Sequence, residues 1–326
     1  MIYEYAIDPA LVKEWAIKRE VGLARHFGLD QRRVVSDFPV NWEGQIIGAL
    51  WESFGWDDRD PEYIDANSHL NALLQYMRPT VSRGHRDSHQ PWLEQALRTH
   101  ESEPFHAILA QAPVDGRDEV ITPAVDRELH NHRWHLPTID LTSKTPAALA
   151  DQLAPLLRVA SKIVLVDPYF EADKAGYPEV LSLLIQRAIS GRSPERAWPE
   201  VTVMTGVGDR EKPASAIPVE EQLRRESVHR CGKAAELLGG SLPKGLKIEF
   251  LCIAQFASGD QVHNRLLLTD VGGASIPYGT QALGDAVFDD ITPLFSGQYR
   301  ARWRQYGKGE GLTVIGAPMM INGLHD

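Results

Sequence analysis

Apolar residues recur at helical spacing through the first hundred positions. Three segments show this pattern, and they begin after Asp8, Asn41 and Asp60, residue types that cap helix N-termini. Proline follows Asp8 and Asp60 at the first helical position, and Pro79 follows the third segment. Residues 80–90, rich in Ser, His and Arg, are predicted to form a loop. The N-terminal region is therefore predicted to be mainly helical.

The helical period fails after this region. Phe105 to Gln111 is short and apolar and is a candidate strand. Residues 112–142 contain several prolines and glycines and show no period, which indicates an irregular linker. We expect a helical module over residues 1–111, the linker over 112–142 and a second domain over 143–326.

Apolar strands and amphipathic helices alternate from residue 143 onward. The β-branched run Ile163 to Val166 is typical of a buried strand. Further strands are predicted at 201–205, 246–253, 262–269, 274–278 and 312–315, with helices at 145–157, 178–189, 219–238 and 299–306. Crossover helices between strands favour an α/β domain with a mostly parallel or mixed sheet.

Composition is that of a globular protein. Of 326 residues, 43% are hydrophobic and 24% charged, and no apolar run reaches the length of a transmembrane helix. The N-terminus lacks the pattern of a signal peptide, and two distant cysteines give no disulfide framework, so a cytoplasmic location without membrane association is expected. The net charge of −10 argues against a protein coated in positive charge but allows a local basic groove.

The segment from Val262 to Asp270 contains the most informative candidate chemistry. Side chains alternate along a strand, so His263 and Arg265 are predicted to project from one face. An imidazole can attack phosphorus or donate a proton, and a neighbouring cation can neutralise the non-bridging oxygens of a phosphodiester. Asp270 can hold an imidazole tautomer or cap the neighbouring turn.

These residues resemble the signature of the phospholipase D superfamily, which is His-x-Lys, four residues, then Asp. Here the match is His263-x-Arg265, four residues, then Asp270, followed by Gly279-Thr280 near the family's usual Gly-Ser pair. The run Ile163 to Tyr169 is similar to the opening strand of family members. The resemblance covers residues 143–316 and implies a phospholipase-D-like fold there.

The sequence departs from the family pattern. Arg265 replaces the lysine, the spacing from Asp270 to Gly279 is longer, and one motif copy is visible where active members combine two. If the protein is active, the resemblance implies that His263 is the nucleophile, Arg265 the phosphate clamp and Asp270 the orienting acid. It also implies a homodimer and a reaction that needs no metal or cofactor. The His-x-Arg form also resembles a non-catalytic branch that retains a basic, phosphate-sized site.

Other residues are candidates for phosphate or ligand binding. Asp167 and Tyr169 follow a buried strand at the end where open α/β sheets bind ligands, although Asp167 can equally be a capping residue. Gly279 and Thr280 complete this set through the resemblance.

Several polar segments have ordinary structural explanations. Asp289 and Asp290 can flank the site, but consecutive acids in a loop are more often solvated. The cations and aromatic residues of 299–306 can grip a nucleic-acid backbone, although an amphipathic helix with an aromatic core face is favoured. The histidines of 130–135 are a weak zinc signal without nearby cysteines.

Together these features predict a protein that engages nucleic-acid phosphodiester backbones and that, if it is catalytic, is a metal-independent nuclease. The whole chain resembles bacterial proteins associated with defence against phages and plasmids, which implies a complex with a partner ATPase. The alternative is an inactive phospholipase-D-like module for interaction or scaffolding. A lipid phosphodiesterase is disfavoured by the negative charge and by the absence of an obvious basic amphipathic helix.

Overall fold

The chain divides into two units. The computed structural model describes residues 1–83, 90–123, 131–136, 142–190, 192, 196–208, 219–254 and 264–324. The N-terminal unit comprises Ile2–Thr138 with Gly191–Arg196, and the C-terminal unit comprises Ile139–Ser190 and Ala197–Asp326 with Met1.

A five-stranded parallel sheet forms the centre of the N-terminal unit. Its strands are β1 (Tyr3–Ile7), β2 (Arg33–Asp37), β3 (Pro79–Ser82), β4 (Ala107–Leu109) and β5 (Val120–Ile121), in the order β3-β2-β1-β4-β5. The helices are α1 (Pro9–Lys18), α2 (Trp42–Ser53), α3 (Pro61–Met77) and α4 (Trp92–Ser102), with short 3₁₀ turns at Leu23–His26 and Leu29–Gln31. This strand order is that of a doubly wound α/β fold.

Alternating residues of β1 pack into different cores on the two faces of this sheet. Tyr5 and Ile7 belong to the larger core, which α1, α2 and α3 complete. Ala6 belongs to the smaller core beneath α4. Successive residues of β1 thus point to opposite faces of the sheet and are buried on both, as expected where helices cover both faces of a parallel sheet.

The structure corrects the predicted N-terminal organisation. The predicted helices are present, but they cover a parallel sheet, so the unit is α/β rather than mainly helical. Within the predicted 112–142 linker, β5 pairs with β4 and Trp134 is buried in the larger core. Residues 79–82, predicted in part as loop, form β3. These strands have two to five residues, too few to produce a recognisable period.

The C-terminal unit contains a seven-stranded mixed sheet, which confirms the α/β prediction. The strands are β7 (Lys162–Val166), β8 (Glu200–Val207), β9 (Lys247–Ala254), β10 (Leu266–Thr269), β11 (Gly273–Ser275), β13 (Thr292–Pro293) and β14 (Met319–Asn322). Their order in the sheet is β13-β11-β10-β7-β8-β9-β14. A separate ribbon pairs β6 (Thr142–Lys144) with β12 (Gly284–Asp289).

Helices and turns connect these strands. They are α5 (Pro146–Val159), α6 (Tyr177–Ile189), α7 (Val219–Leu238) and α8 (Ser296–Arg302), with a 3₁₀ turn at Gly239–Ser241 and a π turn at Trp303–Gly307. The predicted strand at 312–315 is represented by one bridge at Val314, while β12 and β14 were not predicted. Within the described residues, no helix combines the length and apolar composition that crossing a membrane requires.

Strand direction brings two distant segments to one edge of the sheet. Strands β7, β8 and β9 are parallel, so their carboxyl ends meet at the same edge. Strand β10 runs antiparallel to β7, with Leu266 opposite Val166, and therefore begins where β7 ends. Asp167 and Arg265 consequently lie beside each other, although 98 positions separate them in the sequence.

Candidate functional site

Four charged side chains surround a tight loop at this edge. The loop is Pro277–Thr280, here called the 277–280 loop, and the charged side chains are Lys144, Asp167, Arg265 and Asp289. Each forms at least one hydrogen bond to the loop backbone. The charges of the two cations and the two carboxylates cancel, so the cluster around the loop carries no net charge.

Asp167 is fully buried and accepts three hydrogen bonds. Its Oδ2 accepts from the backbone nitrogen of Thr280 at 2.8 Å and from the Thr280 hydroxyl at 2.9 Å. Its Oδ1 accepts from the backbone nitrogen of Tyr169 at 3.1 Å. The carboxylate thus caps the turn after β7 and also anchors the 277–280 loop. These bonds connect three of the predicted ligand-binding residues, namely Asp167, Tyr169 and Thr280.

Gly279 provides the close approach that this arrangement requires. Its φ is +72°, in the left-handed region, and an added Cβ would lie 2.7 Å from Asp167 Oδ2 and 2.8 Å from Arg265 Cδ. Any other residue would strain the backbone and displace these two side chains. Gly279 therefore allows the side chains of Asp167 and Arg265 to pack against the 277–280 loop at the same time.

Lys144 and Asp289 form a buried ion pair behind the loop. Their side chains have no solvent exposure, and Lys144 Nζ lies 3.5 Å from Asp289 Oδ2. Lys144 also donates to the carbonyl of Gly279, while Asp289 Oδ2 accepts from the backbone nitrogen of Tyr278 at 3.1 Å. Burial lowers the pKa of Lys144, and the charge of Asp289 partly opposes that effect.

Sequence reasoning missed Lys144 and expected Asp289 and Asp290 to be solvated. Asp290 is exposed, but Asp289 is 1% exposed. Lys144 lies in the polar segment Thr142–Lys144, and its burial is evident only from the alternating burial of β6 in the structure. Its partner lies on β12, more than 140 positions away, so no local signal identifies the pair.

Arg265 is the cation of this cluster that reaches solvent. Its side chain is 27% exposed, and its Nε lies 3.9 Å from Asp167 Oδ1. Its Nη1 donates to the carbonyl of Pro277, and the guanidinium lies 4.6 Å from the ring centre of Tyr169. Within the described part of the chain, Nη2 forms no hydrogen bond. Arg265 is therefore fixed in position with a donor available for an anion.

The structure places Asp270 away from Arg265. The two residues flank the four residues of β10, which separates their backbones by roughly 16 Å at the usual rise of a strand. Asp270 Oδ1 accepts from the backbone nitrogens of Ser161 and Lys162 at 2.9 and 3.1 Å. It therefore caps the turn before β7, at the opposite edge of the sheet. His263 lies outside the described residues, so its predicted place beside Arg265 stays a prediction.

The other predicted segments have structural roles. Tyr299 is 7% exposed and donates to the carbonyl of Thr269 at 2.8 Å, and Tyr306 is 2% exposed, so these aromatic residues face the core. Trp134 packs in the N-terminal core and His130 lies outside the described residues. Among the described residues, no group of three or more His, Cys, Asp or Glu has a metal-binding arrangement.

A cavity of about 230 Å³ lies between Phe170–Asp173 and α7. Its arginine, Arg230, donates to Glu226 at 3.1 and 3.2 Å and to the carbonyl of Phe170 at 3.2 Å. All three nitrogens of that guanidinium are engaged, whereas Arg265 retains Nη2. Arg265 is therefore the better candidate for binding an anion. Comparison of the chain with protein-family models, with curated proteins and with solved structures gives no match.

Proposed function

We propose that the C-terminal unit binds the phosphate groups of a nucleic-acid backbone at Arg265. The observation that carries this proposal is a guanidinium fixed by Asp167, Pro277 and Tyr169, with Nη2 directed to no partner among the described residues. It lies at the edge where parallel strands end, which is where open α/β sheets bind ligands. A phosphodiester oxygen accepts such a charge-assisted hydrogen bond.

The resemblance to the phospholipase D superfamily supports the same ligand. In this chain the residues that match the family motif include Arg265, Gly279 and Thr280, and these surround Asp167. A phospholipase-D-like fold is part of the proposal, and the mixed sheet of the C-terminal unit is compatible with it.

Hydrolysis would require His263 in addition to Arg265. In the proposed reaction the imidazole of His263 attacks phosphorus, the leaving oxygen takes a proton, and water then releases the phosphate from the imidazole. Arg265 stabilises the charge on the non-bridging oxygens but retains its proton, so it does not serve as the acid. A second His263 across a homodimer would supply that proton.

Binding and turnover are tested separately. Arg265→Ala should weaken binding of a labelled oligonucleotide, while Arg98→Ala, which removes an exposed arginine of the N-terminal unit, should leave it unchanged. A nuclease assay in chelator, with His263→Ala as the comparison, tests turnover. Equal binding by wild-type protein and Arg265→Ala would refute the proposed phosphate site.

The second candidate function is a non-catalytic interaction module. One observation favours it, namely that Asp270 caps a turn at the far edge of the sheet rather than orienting an imidazole beside Arg265. Binding that depends on Arg265, together with no cleavage by wild-type protein, would select this candidate. A role in bacterial defence and an ATPase partner stay predictions.

A further inference from the structure

Two exposed aromatic residues lie beside the proposed phosphate site. Tyr169 is 37% exposed and lies against Arg265, while Tyr278 is 62% exposed. Tyr278 belongs to the 277–280 loop and follows Pro277, whose carbonyl accepts from Arg265. Phe288 is also exposed, but it precedes Asp289 on β12, and alternation directs its side chain away from the face that Asp289 presents to the loop. Tyr169 and Tyr278 therefore belong to the surroundings of Arg265, whereas Phe288 does not.

The backbones that carry these rings are rigidly held. The backbone nitrogen of Tyr169 donates to buried Asp167, and that of Tyr278 donates to buried Asp289. An aromatic side chain on a fixed backbone loses little conformational freedom when a ligand stacks on it, which favours stacking as its contribution to binding.

We infer that the site takes single-stranded nucleic acid, with a phosphate on Arg265 and an adjacent base stacked on Tyr278. This inference rests on the proposed phosphate-binding function. Single strands expose the faces of their bases, whereas a duplex stacks those faces against each other. A cation beside exposed rings is the combination that single-strand binding proteins use, because stacking tolerates any base sequence.

The same contacts predict how much each residue contributes. Loss of one base–aromatic stack should weaken single-strand binding by roughly 5- to 150-fold. Loss of one phosphate contact should reduce the slope of log K against log salt by about 0.7 on a single strand. Tyr278→Ala should therefore lower affinity with the salt slope unchanged, whereas Arg265→Ala should lower both.

Fluorescence anisotropy with three probes of equal length tests this inference. The probes are a labelled single-stranded oligonucleotide, an abasic strand and a duplex, each measured over a range of salt concentrations. Tyr278→Ala should weaken binding of the ordinary strand but leave binding of the abasic strand unchanged. Tyr76→Ala, which removes a 46% exposed tyrosine of the N-terminal unit, is the matched control and should bind like wild-type protein.

The outcomes separate the inference from the function on which it rests. If Arg265→Ala weakens binding of all three probes but Tyr278→Ala weakens none, the phosphate site stands and the single-strand inference is overturned. Tighter binding of the duplex than of the single strand also overturns it. If wild-type protein binds no probe, or if Arg265→Ala changes nothing, the proposed function itself fails.

Discussion

Replacing Lys144 with methionine should strongly destabilise the C-terminal unit. Lys144 and Asp289 are both fully buried, 3.5 Å apart, and Lys144 also donates to the carbonyl of Gly279. Removing one member of a buried ion pair leaves an uncompensated charge, which typically costs about 3–5 kcal/mol. Lys144→Met should therefore lower the free energy of unfolding by that amount.

A double-mutant cycle isolates the ion pair from the loss of packing. Asp289→Asn keeps an acceptor for the backbone nitrogen of Tyr278, and it should cost less than Lys144→Met because the buried lysine, whose pKa burial already lowers, can lose its proton. The double variant should be more stable than the sum of the single losses implies, with a coupling energy of about 0.5–3 kcal/mol.

Hydrogen exchange in increasing urea measures these changes unit by unit. A peptide-resolved readout is needed because the two units need not unfold together. Tryptophan fluorescence would report mainly on the N-terminal unit, since six of the eight tryptophans lie in residues 1–138. Peptides from residues 264–307 should lose protection in Lys144→Met, while those from residues 1–83 should not. A loss below about 1 kcal/mol, or additivity within about 0.5 kcal/mol, would refute the assigned role of the pair.

Two further predictions concern backbone strain and pH. Gly279→Ala should cost at least about 1–2 kcal/mol, because its φ is +72° and its Cβ would meet Asp167 and Arg265, and it should weaken oligonucleotide binding; unchanged stability and binding in the same assays would contradict this. Burial lowers the pKa of His106 from 6.5 to about 4, so the unfolded chain binds more protons between these values. Stability of the N-terminal unit should therefore be fully present above about pH 6.5 and fall by up to about 3 kcal/mol towards pH 4. His106→Asn should flatten this fall in acid-dependent hydrogen exchange, and an equally steep fall would exclude His106 as its cause.

Local signals in the sequence predicted helix starts well. Asp8, Asp60 and Thr145 each accept a hydrogen bond from the first turn of the helix they precede. Asn41 does not, because Asp37 at the end of β2 accepts from the backbone nitrogen of Trp42 instead. A cap within one turn is visible in the sequence, whereas a cap supplied by the preceding strand is not.

Pairing between distant segments was the part that the sequence did not reveal. Strands β3 and β5 are defined by their partners rather than by their own patterns, and β5 has two residues. A strand ending at Thr269 was predicted, and β10 ends there, but the motif spacing did not show that Arg265 and Asp270 lie at opposite edges of the sheet. Motif spacing identified a strand and its flanking residues, and only the fold shows which of them meet.

The balanced charge of the site limits how this acidic chain would bind a polyanion under the proposed function. Asp167 lies 3.9 Å from Arg265 and offsets its charge, while Lys144 and Asp289 offset each other, so long-range attraction is weak. The proposed recognition would then depend on one fixed guanidinium donor and on stacking, both of which act at short range. Under the proposed function, a chain with a net charge of −10 would avoid binding nucleic acid indiscriminately and would retain strands whose exposed bases reach Tyr278.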